Sequence, residues 1–210
     1  MTNPRGPLLV VEDIPNVLEL LEVTLRFQGY EVISARNGEE ALKILEKETP
    51  ALIITDILMP KLDGFAFVQK LRDNPKTMGL PVIFLSATYV TPEDQTFAMS
   101  LGASRFIEKP IDTEDFLLTI AELLSKDQIT IPVPLEKPQF YSGYRERLDI
   151  KLQHKNRQIA RIERLLPTLD EEQKESFNVL YEQALRDRHE IEVELDALSD
   201  IIKKLNANDQ

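Results

Sequence analysis

Residues 1–126 alternate strictly between short apolar runs and longer amphipathic segments, and this alternation restricts the possible folds more than any other feature. The five runs are LLVV (8–11), EVISA (31–35), LIIT (52–55), VIFLS (82–86) and RFIE (105–108). They are rich in β-branched residues, and three of them lack the polar residue at every second position that a half-exposed strand shows. Five strands that alternate with five helices predict an α/β domain with a doubly wound parallel sheet.

The segments between the runs carry the start and stop signals of helices. Gly29 follows the first segment at a position typical of a C′ residue. Asn37, with Glu40 three residues later, forms a capping box for the second helix. Thr91 followed by Pro92 indicates the N-cap and the first turn of the fourth helix. These signals fall where the alternation requires helix ends.

The composition of the 210-residue chain limits the class of protein. Hydrophobic residues make up 42% of it, enough for a substantial core, and the absence of cysteine excludes disulfides and thiolate metal sites. The net charge of −11 argues against nucleic acid as a partner of the whole chain. The apolar run at 8–11 is too short for a signal peptide or a membrane span. We therefore expect a cytoplasmic protein without membrane contacts.

Beyond residue 126 the chain changes character. Residues 127–139, DQITIPVPLEKPQ, contain three prolines and no glycine, which predicts a stiff, extended linker without helix. From 140 to 210 no strand pattern occurs, and apolar residues recur every three or four positions on either side of Pro167. This spacing predicts an all-α antiparallel helical hairpin with coiled-coil-like stripes. The predicted division is therefore 1–126, 127–139 and 140–210.

The two arms of the predicted hairpin differ in length, at roughly 27 and 38 residues. Thr168, with Glu171 three residues later, forms a capping box that starts the second arm. The apolar stripe of this arm includes Leu180 and continues to Leu198 and Leu205, beyond the reach of the first arm. The overhang is expected to expose apolar surface that requires a partner.

Acidic, hydroxyl and basic residues stand at the carboxyl ends of four of the five strands. In a sheet of order 2-1-3-4-5 the first and third strands are neighbours, and ligands bind at the edge where they end. Glu12 and Asp13 follow the first strand and Asp56 ends the third, so three carboxylates are expected close together, a set that suits Mg²⁺. Ser86 and Lys109 reach the same edge from the fourth and fifth strands. A carboxylate beside a divalent cation, a hydroxyl and an ammonium group can accept a phosphoryl group.

These residues, at this spacing, resemble the receiver domain of two-component response regulators, the CheY-like family. The matching elements are ED at 12–13, D-x-x-M-P-x-x-D-G at 56–64, LSA at 85–87 and KP at 109–110. The resemblance covers residues 8–125 and implies a flavodoxin-like fold followed here by the helical hairpin. It also implies a signalling protein, not an enzyme, that receives its phosphoryl group from a sensor histidine kinase or a phosphotransfer protein. Such a protein catalyses only its own phosphorylation and dephosphorylation.

The resemblance implies a role for each residue of the candidate site. Asp56 would be the phosphoacceptor. The Mg²⁺ ligands would be Glu12, Asp13, Asp56 and the backbone carbonyl of Leu58. Ser86 would bond a phosphoryl oxygen, Lys109 would pair with the phosphoryl group, and Phe106 would be the switch residue, acting by packing because it lacks a tyrosine hydroxyl. The alternative interpretation makes the carboxylates solvated loop acids and Phe106 a core residue.

Three outputs of the hairpin stay open. DNA binding is disfavoured, because residues 145–164 carry seven basic and three acidic residues whereas 169–207 carry five and eleven, so the basic arm has an acidic partner within the chain. A phosphorelay role is the second hypothesis: His189, followed by Glu190, resembles the phosphoaccepting helix of sensor kinases. No glycine-rich ATP-binding loops accompany this histidine. The preferred interpretation makes both His189 and His154 ordinary surface residues.

The favoured output is a protein contact, with a homodimer as the expected assembly. Asp187 lies close to the apolar seam, between Ala184 and Ile191. A polar residue at a seam can fix the register or the oligomeric state, although Asp187 could equally sit at the edge of the seam with Arg186 or Arg188 nearby. The sequence thus predicts a phosphorylation-responsive regulator that signals through its helical region.

Overall fold

The protein is described by a computed structural model that covers residues 6–86, 92–125 and 135–208, with the side chains of 92–93 and 206–208 left aside. The chain forms two compact units, Met1–Leu135 and Glu136–Gln210. Most of the predicted linker, and the predicted helix cap Thr91, lie outside the described residues. No helix in the described ranges is long and apolar enough to cross a membrane.

The first unit is a five-stranded parallel sheet with helices on both faces. Its elements are β1 (Leu8–Val11), α1 (Pro15–Phe27), β2 (Val32–Ala35), α2 (Gly38–Leu45), β3 (Leu52–Asp56), α3 (Gly64–Asp73), β4 (Val82–Ser86), α4 (Pro92–Ser100), β5 (Arg105–Glu108) and α5 (Thr113–Ser125). The strands pair in the order β2-β1-β3-β4-β5. The doubly wound α/β fold and the strand order 2-1-3-4-5 predicted from the sequence are confirmed.

The core of this unit explains the uninterrupted apolar runs. Strands β1, β3 and β4 are buried at every position. On one face of the sheet, α1 and α5 pack against the strands through Leu18, Leu21, Leu25, Phe116, Ile120 and Leu123. On the other face, the ring of Phe65 in α3 lies 5.5 Å from Phe84 in β4 and 5.1 Å from Phe97 in α4. Since both faces are covered, alternation of polar and apolar residues would leave buried polar groups without partners.

Two of the predicted helix ends are confirmed. Gly29, after α1, has a φ of 86°, which a residue without Cβ adopts at little cost. Asn37 accepts the amide hydrogen of Glu40 at 3.0 Å and donates to the Glu40 carboxylate at 3.1 Å, so the capping box of α2 is formed. Asp63 caps α3 in the same way, through the amide of Ala66 at 2.9 Å.

The second unit is a pair of long helices, α6 (Lys137–Leu165) and α7 (Glu171–Asn208), joined through a short 3₁₀ helix at Leu166–Thr168. The predicted linker was too long at its carboxyl end, because 137–139 belong to α6. Pro138 lies in the first turn, where the missing N–H would have no partner in the helix, so proline is tolerated there.

The start of α7 differs from the prediction. Thr168 does not cap it, because its hydroxyl donates to the carbonyl of Leu165 at 2.7 Å and so belongs to the end of α6. The cap is Asp170, whose carboxylate accepts the amide hydrogen of Gln173 at 2.9 Å. Both Thr168 and Asp170 are competent caps, and the 3₁₀ turn at the end of α6 determines which of them faces the free amides of α7.

The buried seam between α6 and α7 also corrects the predicted overhang. It consists of Phe140, Tyr144, Leu148, Ile159, Ile162, Ala184, Ile191 and Leu198. Leu198, expected to be uncovered, is only 4% exposed and belongs to the buried seam. Leu180, expected in the seam, is 53% exposed. The unpaired end of α7 is therefore shorter than the sequence indicated.

Candidate functional site

Three carboxylates meet at the carboxyl edge of the sheet. Glu12 directly follows β1 and is buried, Asp13 is half-buried, and Asp56 is the buried last residue of β3. Strands β1 and β3 are paired in register, with Val11 opposite Thr55, which brings these ends side by side. One carboxylate oxygen from each acid lies within 4.8 Å of the others. The clustering expected from the strand order is present.

Lys109 supplies the positive charge of this cluster. Its Nζ lies 2.7 Å from Oε2 of Glu12 and 3.2 Å from Oδ2 of Asp56, so one ammonium group bridges two strand ends. The residue comes directly after β5, and its backbone N–H donates to the carbonyl of Ser86 at 2.6 Å. The peptide bond between Lys109 and Pro110 is cis.

Burial and the charge of Lys109 shift the pKa of Asp56 in opposite directions. Burial raises the pKa of Asp56 from its ordinary value of 3.8 to about 6, against the effect of the Lys109 charge, and the negative charge of Glu12 raises it further. Burial alone would lower the pKa of Lys109, but its hydrogen bond to Glu12 and the charges of Asp56 and Glu12 raise it overall. The charge of Lys109 therefore favours the ionised form of Asp56, and the charge of Asp56 favours the ionised form of Lys109.

The backbone around Asp56 is held by a close approach that sequence reasoning missed. The amide of Ile57 donates to Oδ1 of Asp56 at 2.8 Å, and the amide of Gly64 donates to the carbonyl of Ile57 at 2.8 Å. A Cβ on Gly64 would lie 2.2 Å from the carbonyl oxygen of Asp56, far inside van der Waals contact. Position 64 thus requires glycine for space. The Asp63–Gly64 pair reads in the sequence as an ordinary turn, so it gives no signal of this requirement.

The remaining predicted site residues lie on the expected strands. Ser86 is the buried last residue of β4. Leu85, which precedes Ser86 in the chain, pairs with Asp56 of the neighbouring strand β3. Leu58 is exposed, two residues beyond Asp56. Phe106 is half-buried in β5, opposite Phe84 of β4, so it is not a fully enclosed core residue. Ala87 and Thr88, which follow Ser86, lie outside the described residues.

The two histidines lie in the second unit. His154 on α6 and His189 on α7 are both exposed, which agrees with the surface positions expected for them. Asp187 is half-buried and accepts a hydrogen bond from Nζ of Lys155 at 2.8 Å and another from the Gln183 amide at 2.7 Å. Asp187 thus contacts the other arm through Lys155, and its role in fixing the register or the oligomeric state stays a prediction.

The family of the chain follows from a comparison with known proteins. The sequence profile of the response regulator receiver domain matches residues 8–121, more than half of the chain. This range includes every member of the carboxylate and lysine cluster. The chain belongs to the response regulator receiver domain family.

The relatives place limits on what the family assignment says of the whole chain. The chain is 39% identical over 131 residues to the probable transcriptional regulator ycf27 of Porphyra purpurea. The aligned region covers 62% of this chain and 52% of that protein. It is 35% identical over 140 residues to the response regulator Rre1 of Synechocystis, covering 66% and 60%. The chain therefore spans about half the length of the first of these relatives and three fifths of the second.

A solved structure shares the fold of the receiver. The signal receiver domain of a signal transduction histidine kinase from Syntrophus aciditrophicus is 36% identical, with a TM-score of 0.55, over 62% of this chain and 98% of that one. The receiver architecture is thus complete in this chain, and the helical unit follows it.

Proposed function

We propose that this protein is a phosphorylation-responsive regulator in which Asp56 accepts a phosphoryl group and the helical hairpin signals through a protein contact. The observation that carries the proposal is the position of Lys109, whose ammonium group lies within 3.2 Å of Asp56 and 2.7 Å of Glu12. Burial of two acids and a lysine at one sheet edge costs desolvation free energy. A loop without a chemical role would not need this arrangement.

The two carboxylate oxygens of Asp56 have different neighbours. Oδ1 of Asp56 is held by the Ile57 amide, and Oδ2 faces Lys109. A carboxylate oxygen of Asp56 attacks the phosphorus of a phosphohistidine donor, and the P–N bond breaks as the P–O bond forms. The electron pair of the broken bond stays on the imidazole nitrogen. Lys109 and the Ser86 hydroxyl then bind the oxygens of the transferred group.

The donor set around Asp56 fits the divalent cation that the family implies. Three carboxylates whose oxygens lie within 4.8 Å of one another match the hard oxygen ligands of Mg²⁺. Glu12, Asp13 and Asp56 would hold the ion, with the carbonyl of Leu58 as the fourth protein ligand. The bound cation would offset the charge that builds up on the phosphoryl oxygens.

The proposed response begins at Ser86 and Phe106. Ser86 is buried at the edge of the site, so its hydroxyl would have to move toward a phosphoryl group on Asp56. Phe106 is half-buried in the neighbouring strand, and we expect it to repack when that happens. We expect the surface formed by α4, β5 and α5 to change as a result, which shifts a population between two states.

The proposed phosphoryl donor is a sensor histidine kinase or a phosphotransfer protein. Helix α1 begins beside the carboxylates and carries three exposed apolar side chains on one stripe, Leu20, Val23 and Phe27, at 65%, 60% and 87% exposure. Residues spaced i, i+3 and i+7 on a helix suit contact with a helical partner. This stripe supports a donor that docks beside the acceptor.

DNA binding is retained as the alternative output, because relatives are named as transcriptional regulators, among them ycf27 of Porphyra purpurea, named as a probable one, and PhoP of Bacillus subtilis. Against it, Lys155 of the basic helix α6 is paired with Asp187 of the acidic helix α7. A phosphorelay through His189 has only the exposure of this side chain in its favour.

Labelling with acetyl phosphate and Mg²⁺ tests the acceptor. Wild-type protein should take up one phosphoryl group per chain, and Asp56→Asn should take up none. Asp149→Asn, a change to an exposed acid of α6, should label like the wild type. A label that survives alkali would be a phosphohistidine and would favour His189 over Asp56. Equal labelling of Asp56→Asn and wild type would contradict the proposal.

A further inference from the structure

Three polar side chains of the first unit are buried with an atom that makes no hydrogen bond. Gln69 and Arg72 lie on α3, Ser104 lies just before β5, and each is at most 6% exposed. Within the described part of the chain, Oε1 of Gln69, Nε of Arg72 and Oγ of Ser104 have no hydrogen-bond partner. A buried polar atom in this state lowers the stability of the fold unless something binds it. We call these three residues the amino-edge cluster.

Gln69 and Arg72 project from α3 toward α4. They follow Phe65 by four and seven residues, so the three side chains share one stripe of the helix. The ring of Phe65 lies 5.1 Å from the ring of Phe97 in α4, which shows that this stripe faces α4. The Arg72 guanidinium also donates to the carbonyl of Gly102, two residues beyond the end of α4, at 2.9 Å. Both side chains therefore lie between α3 and the connection from α4 to β5.

Ser104 faces the same space from the sheet. Phe106 of β5 is opposite Phe84 of β4, and Phe65 of α3 packs on Phe84, so these side chains lie on the face that α3 covers. The backbone N–H of Ser104 donates to the carbonyl of Val82 at 2.8 Å, which continues the pairing of β5 with β4 as far as Ser104. Since Ser104 precedes Phe106 by two residues, its side chain points to the same face.

The three side chains also lie at the same edge of the sheet. Arg72 donates to the carbonyl of Leu80, two residues before β4, at 3.0 Å, and Gly102 lies two residues before Ser104. Both acceptors thus belong to the amino ends of their strands, where Ser104 also lies. Gln69 is about one turn of α3 from Arg72. The atoms without partners therefore converge between α3, α4 and the start of β5.

The chemistry of the three atoms favours water as their ligand. Nε of Arg72 only donates, Oε1 of Gln69 only accepts, and Oγ of Ser104 does both. The orientation of the Gln69 amide is set by Asp73, whose carboxylate accepts from Nε2 of Gln69 at 3.2 Å. An anion would be repelled by Oε1 of Gln69, and a metal cation by the guanidinium. A water molecule can accept from Arg72, donate to Gln69 and bond Ser104, and three partners are typical of buried water.

We propose that the amino-edge cluster binds one internal water molecule, which joins α3 to the start of β5. None of the three atoms bonds another of them directly, so the link between helix and strand runs through the water. The cluster lies at the amino edge of the sheet, whereas the carboxylates and Lys109 lie at the carboxyl edge. The proposal is therefore independent of phosphoryl transfer to Asp56.

Two substitutions of Ser104 test the water by replacing it in opposite ways. Ser104→Asn supplies an amide whose oxygen can accept from Arg72 and whose NH₂ group can donate to Gln69, so it reproduces the bonds of the water. Ser104→Val fills the space with methyl groups and leaves both atoms unpaired. In urea unfolding of the full chain, Ser104→Asn should keep the midpoint of the first unit within about 0.2 M of wild type, and Ser104→Val should lower it by about 1 M.

The matched control uses Ser125, the exposed last residue of α5 in the same unit. Because asparagine and valine have similar helix propensities, Ser125→Asn and Ser125→Val should differ by less than about 0.2 M. A dry apolar site at Ser104 would reverse the expected order, since valine buries more apolar surface and has the higher β propensity. Ser104→Val at least as stable as Ser104→Asn would therefore overturn the proposal.

Direct observation in the wild-type protein keeps the test decisive if both variants of Ser104 unfold. In a crystal structure at about 1.5 Å resolution, one water should lie within about 3.2 Å of Nε of Arg72, Oε1 of Gln69 and Oγ of Ser104. Crystals grown with bromide distinguish an anion, whose anomalous signal at this position would contradict the water. Direct hydrogen bonds among the three side chains, or no density between them, would also overturn the proposal.

Discussion

The two units of this protein hold their functional residues by different means. In the receiver unit, three buried strands and two layers of helices fix the carboxylates and Lys109 at one sheet edge. In the hairpin, one buried stripe and a few polar contacts hold the arms in register, and rows beside the seam stay half-covered. A densely packed unit can complete a chemical site from its own residues, whereas a thin one depends on what binds to it.

Replacement of Lys109 should have the largest effect, because it removes the charge that the receiver unit brings to Asp56. We expect Lys109→Met to slow phosphoryl transfer from acetyl phosphate by roughly 10²–10³-fold. Lys43→Met, a change to an exposed lysine of α2, should leave the rate within twofold. Initial rates of labelling measure both, and comparable rates for Lys109→Met and wild type would remove the lysine from the mechanism.

Gly64→Ala tests whether the site depends on the packing of the receiver unit. Its Cβ would meet the carbonyl oxygen of Asp56 at 2.2 Å, so the acceptor strand and α3 must separate. We expect a loss of about 3 kcal/mol in the free energy of unfolding. Gly79→Ala is the control, since nothing lies within 4 Å of an added Cβ there, and it should change the free energy by less than about 0.5 kcal/mol. Urea unfolding followed by circular dichroism gives both values.

Arg72 should matter to the receiver unit although it is remote from the carboxylates. Its guanidinium is buried in α3 and donates to the carbonyls of Met78 and Leu80, both at 3.0 Å, and of Gly102 at 2.9 Å. Burial lowers its pKa to about 10. Arg72→Met would leave three carbonyls without this donor, and we expect a loss of about 2 kcal/mol. Lys70→Met, on the exposed face of the same helix, should have no measurable effect in the same unfolding experiment.

The ion pair of Lys155 and Asp187 should make the smallest of these contributions to stability, and this contribution should depend on pH. Burial alone would raise the pKa of Asp187, but the hydrogen bonds from Lys155 and Gln183 and the charges of Lys155 and Lys151 lower it overall. A lowered pKa in the folded state means that the stabilisation is present above the ordinary value of 3.8 and is lost as the pH falls below it.

Asp187→Asn should therefore lower the stability of the hairpin by about 1 kcal/mol at pH 7 and by much less at pH 3. The measurement is thermal unfolding of the helical signal at both pH values. The nearby exposed Asp196→Asn serves as control and should show no such difference. A loss for Asp187→Asn that is equal at pH 7 and pH 3 would show that the pair is not an ion pair in solution.

The sequence predicted the parts of the molecule that depend on the order of elements. The proximity of Glu12, Asp56 and Lys109 could be predicted, because parallel strands end at one edge of the sheet. Gly64 could not be recognised, since a turn and a close backbone approach require the same residue type. The burial of Arg72 has no signal in the sequence, because its acceptors come from loops that meet only in the folded chain.

In the hairpin the errors have local causes. The prolines of 127–139 suggested an end to helical structure, but the first turn of a helix accepts Pro138, so α6 starts at Lys137. Two competent caps, Thr168 and Asp170, lie two residues apart, and the prediction chose the wrong one. Helix ends are set by competition among a few hydrogen bonds, which the residue pattern alone does not decide.

The most direct test of the central claim is chemical mapping of the phosphorylated residue. Protein treated with acetyl phosphate and Mg²⁺ is reduced with borohydride, which converts an aspartyl phosphate to homoserine, and the peptides are read by mass spectrometry. The account predicts homoserine at position 56 and intact aspartate at positions 13 and 63. Intact aspartate at position 56, with homoserine elsewhere or a phosphate found on His189, would contradict it.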